Sequence, residues 1–257
     1  MIENATELGS ILAAPFAAGL LALLTHVPLG EQVLRRGIVF IDLAIAQMAA
    51  LGVLAASGWS TDPSPVWWAG SLAALASAVV VAWLARRWPE RREALIGLVY
   101  VGGAALAILW VSADPHGAQK LRALLAGDIL WVRVESLWPL AAGSALFAVA
   151  TRLQPAALDR DALFYPTFAL LISLSVPVLG LYLVFAALIA PALGASALRQ
   201  AGNPRARWAA YAIGLIGLLA GLAGSFWLDC PSGPTVVLAL IATAAVSGAL
   251  AAVRLRG

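Results

Sequence analysis

Residues Leu34 to Gly52 read LRRGIVFIDLAIAQMAALG, and the reading of this stretch decides the fold. Paired arginines, Arg35 and Arg36, lead into twenty mostly apolar residues, Gly37 to Ala56. That is the length needed to cross the hydrocarbon core of a bilayer. Asp42 and Gln47 lie inside the run. A carboxylate near a bilayer centre costs about 2.5–3.5 kcal/mol on insertion scales, so one kept there marks a polar path by default. The competing reading is that Asp42 lies shallow enough to reach lipid headgroups or to pair with Arg35 or Arg36.

Composition agrees with a membrane setting. Of 257 residues 62% are hydrophobic and only 11% charged, with a mean hydropathy of +0.92. Such a chain has too little polar surface to cover a soluble globule. The net charge of +3 does not point to nucleic acid, because the basic residues sit between apolar runs, where topology explains them. The start, MIENATELGS, lacks a basic segment and a cleavage signature, so the first span is expected to be retained. The single cysteine, Cys230, forms no internal disulfide, and it reads as a small filler near a helix end.

Spans are expected at Leu8–Val27, Gly37–Ala56, Val66–Ala85, Ala94–Ser112 and Ser136–Ala150, and at Trp208–Leu228 and Thr235–Val253. Between the last two groups, Ala162 to Leu198 is a 37-residue stretch without a charge. As one helix it would rise about 56 Å against a core of about 30 Å. It must fold back, and Pro177 and Gly180 mark the break as a tight hairpin. The expected fold is therefore all-α, a polytopic transmembrane bundle of about nine spans, or eight if a short one is re-entrant, forming one domain over residues 1–257.

With the N-terminus outside and the C-terminus cytoplasmic, all sixteen basic residues except Lys120, Arg122 and Arg133 fall on the cytoplasmic side. This is the bias that the positive-inside rule demands of short loops. Arg86, Arg87, Arg91 and Arg92 read as a topology anchor. Gly217 and Gly221 form a small-xxx-small pair for close helix packing. Trp59, Trp67, Trp68, Trp83, Trp88, Trp131, Trp138, Trp208 and Trp227 lie near span ends, as an interfacial aromatic belt should. Hydrolytic or metal-assisted catalysis needs clustered His, Cys or paired carboxylates, and two histidines and one cysteine do not supply them. No Walker-type phosphate loop occurs, so this chain is not read as an enzyme. Transport remains.

Four blocks then carry a resemblance: RRGIVF with DLAIAQMAALG, from Arg35 to Gly52; LLAGDILWV, Leu124 to Val132; GLYLVFAALIAPALGASAL, Gly180 to Leu198; and LDCPSGPTVVL, Leu228 to Leu238. Together, in this order, they resemble the permease subunits of metal-type ABC importers, which take up zinc, manganese or iron. The resemblance spans about Leu29 to Val253. It implies half of a homodimeric domain in a bacterial inner membrane, fed by an extracytoplasmic metal-binding protein and driven by a separate cytoplasmic ATP-binding subunit. No cofactor is implied beyond the transported divalent metal ion, and the partners are those two proteins and membrane lipid, with no nucleic acid.

The chain departs from that pattern twice. Relatives commonly carry an Asp and a His four residues apart on the second span, on one helix face. Here Asp42 and Gln47 are five apart, about 140° around an ideal helix, and a neutral amide replaces the imidazole. A metal would then pass with weak, mostly hydrated contacts. The second departure is TRLQPAALDRDALFYP, Thr151 to Pro166, about a dozen residues shorter than the segment whose helix docks on the ATPase in relatives. A compact docking element around Pro155 to Asp161 is expected, with Asp159, Arg160 and Asp161 as a charged face. A plain solvated loop is the alternative.

Further polar residues carry two readings each. His26, at the end of the first expected span, either satisfies terminal carbonyls or lines the path. His116, in ADPHGAQK, is either an exposed turn residue or a receiver of metal from the binding protein. Asp229 reads as a turn or capping residue, and Pro191 as a kink that frees a carbonyl toward the path. A second functional reading needs no ATPase: a proton-coupled secondary transporter in which Asp42 itself is titrated.

Overall fold

The computed structural model describes residues 2–57, 63–112, 114–127 and 129–254, with side chains for all of these except 2–11, 63–65, 67, 123, 124, 126 and 252–254. Trp59, Asp128 and Arg256 lie outside the described residues, as do the side chains of Trp67 and Arg254. Among the described residues the chain is all-α. Eleven helices follow in order: α1 Ile2–Arg36, α2 Ile41–Ser57, α3 Pro63–Arg87, α4 Arg92–Val111, α5 Gly117–Ala126, α6 Trp138–Leu153, α7 Asp161–Leu179, α8 Leu181–Gly194, α9 Ser196–Gln200, α10 Ala206–Leu228 and α11 Ser232–Arg254.

Each of the nine expected spans has its helix, and α5 and α9 are additions. Six helices, α1, α3, α4, α7, α10 and α11, are long and apolar enough to cross a membrane, while α2 and α8 are shorter apolar helices. The bundle is inverted relative to a soluble fold, since large apolar side chains such as Leu98, Leu109, Ile216 and Leu238 are exposed. In lipid that exposure carries no penalty, because tails are as apolar as leucine. Trp83, Trp131, Trp138, Trp208 and Trp227 also project from the surface, near helix ends as expected.

The 162–198 stretch does fold back. Arg36 pairs with Asp161 at the start of α7, and Glu31 pairs with Arg199 just beyond α8. Both ends of the stretch therefore meet the same end of α1. The break is sharper than expected, because Pro177 stays inside α7 and the direction changes at Gly180 alone, with φ +80°. That dihedral is open to glycine and strained for other residues.

α1 extends to Arg36, well past the expected end at Val27. Pro28 does not stop it. Near its C-terminal end it packs on α8 so tightly that a Cβ on Gly30 would lie 1.9 Å from the Leu188 carbonyl oxygen. Gly217 and Gly221 likewise admit α11, with a Cβ at Gly221 only 2.4 Å from the Val236 Cα. Small residues let backbones approach where lipid offers no hydrophobic driving force.

Three of the four sequence blocks converge at the end of the bundle opposite Arg36. Gly127, at φ +62°, lies over the α7–α8 joint, where a Cβ would meet the Leu179 carbonyl oxygen at 2.1 Å. Ile129 beside it is fully buried, and the Leu130 amide donates to Ser232 Oγ at the start of α11. Asp229 caps α10 in the left-handed conformation, φ 50° and ψ 45°, so the capping reading of this residue holds.

Candidate translocation site

α2 begins at Ile41, so Asp42 lies in its first turn rather than deep in the span. It is nevertheless 1% exposed. Neither carboxylate oxygen has a hydrogen-bond partner, although the amides of Asp42 and Leu43 lie near it. The alternative pairing with Arg35 or Arg36 does not occur. Both arginines turn away: Arg35 to Asp159 and Arg36 to Asp161. A buried polar group without a partner is unusual enough in a folded protein to need an explanation.

Gln47 is 2% exposed, and it packs against α4, where a Cβ on Gly103 would lie 3.2 Å from its Cγ. α2 and α4 run parallel, both starting at the end that carries Arg35 and Arg36. α4 opens with Glu93, whose Oε1 accepts from the Val39 amide and whose Oε2 is buried without a partner. α4 thus covers the Gln47 and Met48 face of α2, and Asp42, about 140° from Gln47 around the helix, is buried on a different face. The sequence analysis did not single out Glu93. It started the fourth span one residue later, at Ala94, and read the preceding arginines only as an anchor; a lone carboxylate at a span start was the available signal.

His26 is neither a terminal cap nor near a helix end. It lies ten residues before the end of α1, fully buried. Its Nδ1 is 2.9 Å from the Ala22 carbonyl oxygen, which can only accept, so this bond places the proton on Nδ1. Nε2 is buried without a partner. His116 is exposed in a turn at the opposite end of the bundle, where its amide donates to Asp114 Oδ1 at 2.9 Å. The Lys120 ammonium, 2.7 Å away, holds the Asp114 carboxyl below the usual carboxylate range. Among the described residues no group of three or more His, Cys, Asp or Glu could hold a metal ion. The four candidates Asp42, Gln47, His26 and His116 are not brought together as one ligand set.

The short segment after α6 forms no docking helix. It makes one 3-10 turn, Ala157–Asp159, with Leu158 buried. Its acids are partly exposed, and both are engaged by residues of the α1 end. Asp159 accepts from Gln32 at 2.9 Å and from Arg35 at 3.3 Å, which holds its carboxyl below the usual range, Gln32 first. Arg36 bonds Asp161 and the carbonyls of Leu158, at 2.8 Å, and Asp159, at 3.1 Å. The same guanidinium lies 4.3 Å from the Phe164 ring centroid. Pro155 and Arg160 are exposed, and Asp159 beside them is exposed too.

A groove of about 700 Å³ runs along α8 and α11, lined by Tyr182, Phe185, Ile189, Leu193 and Ile241, with Leu43 and Tyr100 across from them. Leu43 is the chain neighbour of Asp42, so this groove reaches the first turn of α2. Pro191 turns away from it and packs toward Gly214 of α10.

Comparison with known proteins follows the geometry. The family model described as the ABC 3 transport family matches residues 8–158 and 147–251. The two matches overlap at 147–158, which reaches into the 151–166 stretch where the chain reads as shortened. An uncharacterized membrane protein of Synechocystis sp., slr2045, is 25% identical over 240 residues, covering 86% of this chain and 84% of that protein. The fold also matches PsaBC from Streptococcus pneumoniae, solved in complex with Fab, with a TM-score of 0.73 at 16% identity over 96% of this chain and 95% of that one. The chain belongs to the ABC 3 transport family, the metal-type ABC importer permeases that its four sequence blocks resemble.

Proposed function

We propose that this chain is the permease subunit of an ABC importer that carries a divalent metal ion, zinc, manganese or iron, inward across a bacterial inner membrane. All 257 residues serve as one membrane domain crossing about nine times, with the N-terminus outside and the C-terminus cytoplasmic. ATP is hydrolysed on a separate cytoplasmic subunit, and an extracytoplasmic protein delivers the metal. His116, exposed at the outer end, meets the delivered ion first, and His26 offers an unpartnered imidazole nitrogen farther in.

The single observation that carries this reading is Asp42, buried inside a membrane bundle with both oxygens unpartnered. Such a group is retained where a cation passes. Gln47 adds a neutral oxygen five residues farther along α2. Transit needs no tight site, because a conduction site must also release its ion. The apolar groove beside Leu43 suits a second copy of the chain, so that the path closes between two protomers. Pro155 and Arg160, exposed on a segment pinned by Asp159 and Asp161, supply the contact with the ATPase.

The test is metal-dependent growth and uptake in cells expressing Asp42→Ala. Uptake is expected to fall to background while the protein stays in the membrane at its normal level. Normal uptake would remove Asp42 from the path. Uptake that collapses with the proton gradient and persists without an ATPase would favour the proton-coupled carrier instead.

A further inference from the structure

A trough of about 500 Å³ opens on the surface of the bundle near the end that carries Arg35 and Arg36, with α1 as its floor and α6 and α10 as its walls. Leu24, Pro28 and Gln32 line the floor. They are four residues apart in turn and so share one helix face. Leu20, the next position back along that face, and Leu24 are both 40% exposed, so the trough continues onto the apolar, lipid-facing surface. Pro28 has no amide to donate to the Leu24 carbonyl. The Tyr211 hydroxyl of α10 donates to that oxygen instead, at 3.2 Å, and the bond holds one wall in place.

The lining changes character along its length. Leu24, Phe147 and Tyr211 make its inner part apolar, and Arg152 of α6 faces it at the outer end together with Arg207 and Trp208 of α10. Arg152 is exposed, and no acid among the described residues pairs with it. Arg207 places Nε and Nη2 on Glu31 and is still 62% exposed. Trp208 is 73% exposed at the rim, and tryptophan is the residue type that sits at headgroup level.

An apolar channel that ends in two guanidiniums at headgroup depth is complementary to a lipid with a net negative phosphate, because the guanidinium fork matches phosphate geometry. We propose that this trough between α1, α6 and α10 binds an anionic phospholipid, its phosphate held by Arg152 and Arg207 and one acyl chain laid against Leu24 and Phe147. Pro155 and Leu158 line the same trough, so the bound lipid also touches the short segment between α6 and α7. The site needs only the membrane setting. It stands or falls separately from Asp42 and the transport reading.

The test titrates the purified full-length chain in detergent with phosphatidylglycerol, and in parallel with zwitterionic phosphatidylethanolamine, and reads bound lipid by native mass spectrometry. Three variants are compared with wild type, and heat stability is recorded for each. Arg152→Gln removes a charge that has no partner in the fold. Ala148→Phe narrows the trough without altering its charge, and Arg91→Gln removes an exposed arginine at the same end that does not line it. The expected result is saturable binding that favours phosphatidylglycerol, weakened about fivefold by Arg152→Gln, the effect of one basic residue at an anionic membrane surface. Ala148→Phe should weaken it too, and Arg91→Gln should leave it unchanged. Equal affinity for the two lipids, or an equal loss with Arg91→Gln, would reduce the binding to diffuse attraction and overturn the proposal. Full competition by inorganic phosphate would assign the arginines to a free anion and overturn it as well. Wild-type affinity in Arg152→Gln would also overturn it, and loss of a copurifying ATP-binding subunit from that same variant would give the trough to that partner instead.

Discussion

Two groups of buried acid lie near the same end of the bundle and are treated in opposite ways. Glu31 on α1 is 5% exposed, and both its oxygens are used: Arg199 bonds one and Arg207 donates to the other at 2.9 Å. This ties α9 and the start of α10 to α1. Asp42 on α2 is buried even more completely, and neither oxygen is used. The chain has arginines to spare at this end and does not place one on Asp42. Charge that holds the fold is paired within it, whereas charge left open is available to something that comes and goes.

That contrast can be broken most directly by loss of function. Asp42→Ala should abolish metal uptake, whereas Glu31→Gln, which keeps the side-chain shape and one of the two acceptor oxygens, should retain most of it; equal losses would erase the distinction. Stability should then split the other way. Glu31→Leu leaves two arginines without their acid and should destabilise the fold by about 1–3 kcal/mol, less than a fully buried pair because Arg207 is 62% exposed. Asp42→Leu removes an unsatisfied carboxylate and should leave the unloaded chain as stable, or more stable by about 1 kcal/mol. Heating in detergent followed by gel filtration reads both, and a large loss with Asp42→Leu would show a hidden partner for that group.

The smallest effect is expected at Asp159, which is exposed. Its folded carboxyl is held below the ordinary range, with the Gln32 bond as the leading cause. The contact is therefore complete above that range and is lost as pH falls through the lowered value. Hydrogen exchange at residues 154–161 should rise on acidification and with Asp159→Asn, with little change elsewhere.

The sequence revealed the helices because apolar length is local information. Runs such as Trp208 to Leu228 declare a span wherever they pack, and each of the nine expected runs became a helix. Less legible were ends and partners. α1 ran past Val27 because the Pro28 region and the polar residues Glu31 and Gln32 remain compatible with a helix once Arg199, Arg207 and Asp159 bond them. Those bonds join residues more than a hundred positions apart. Asp42 and Gln47 were visible as polar residues in an apolar run, but a single helical wheel set them 140° apart. The structure shows α4 packed on the Gln47 and Met48 face, and it brings Glu93 of α4 to the Val39 amide just before α2.

By itself, then, the amino-acid order determined an all-helical membrane bundle, the fold-back between Asp161 and Leu198, and the basic end, because each follows from hydropathy and charge along a contiguous stretch. Only the tertiary structure decided which acids are neutralised. Whether an arginine reaches a carboxylate depends on helices that meet through close glycine contacts, and sequence spacing carries no record of that distance.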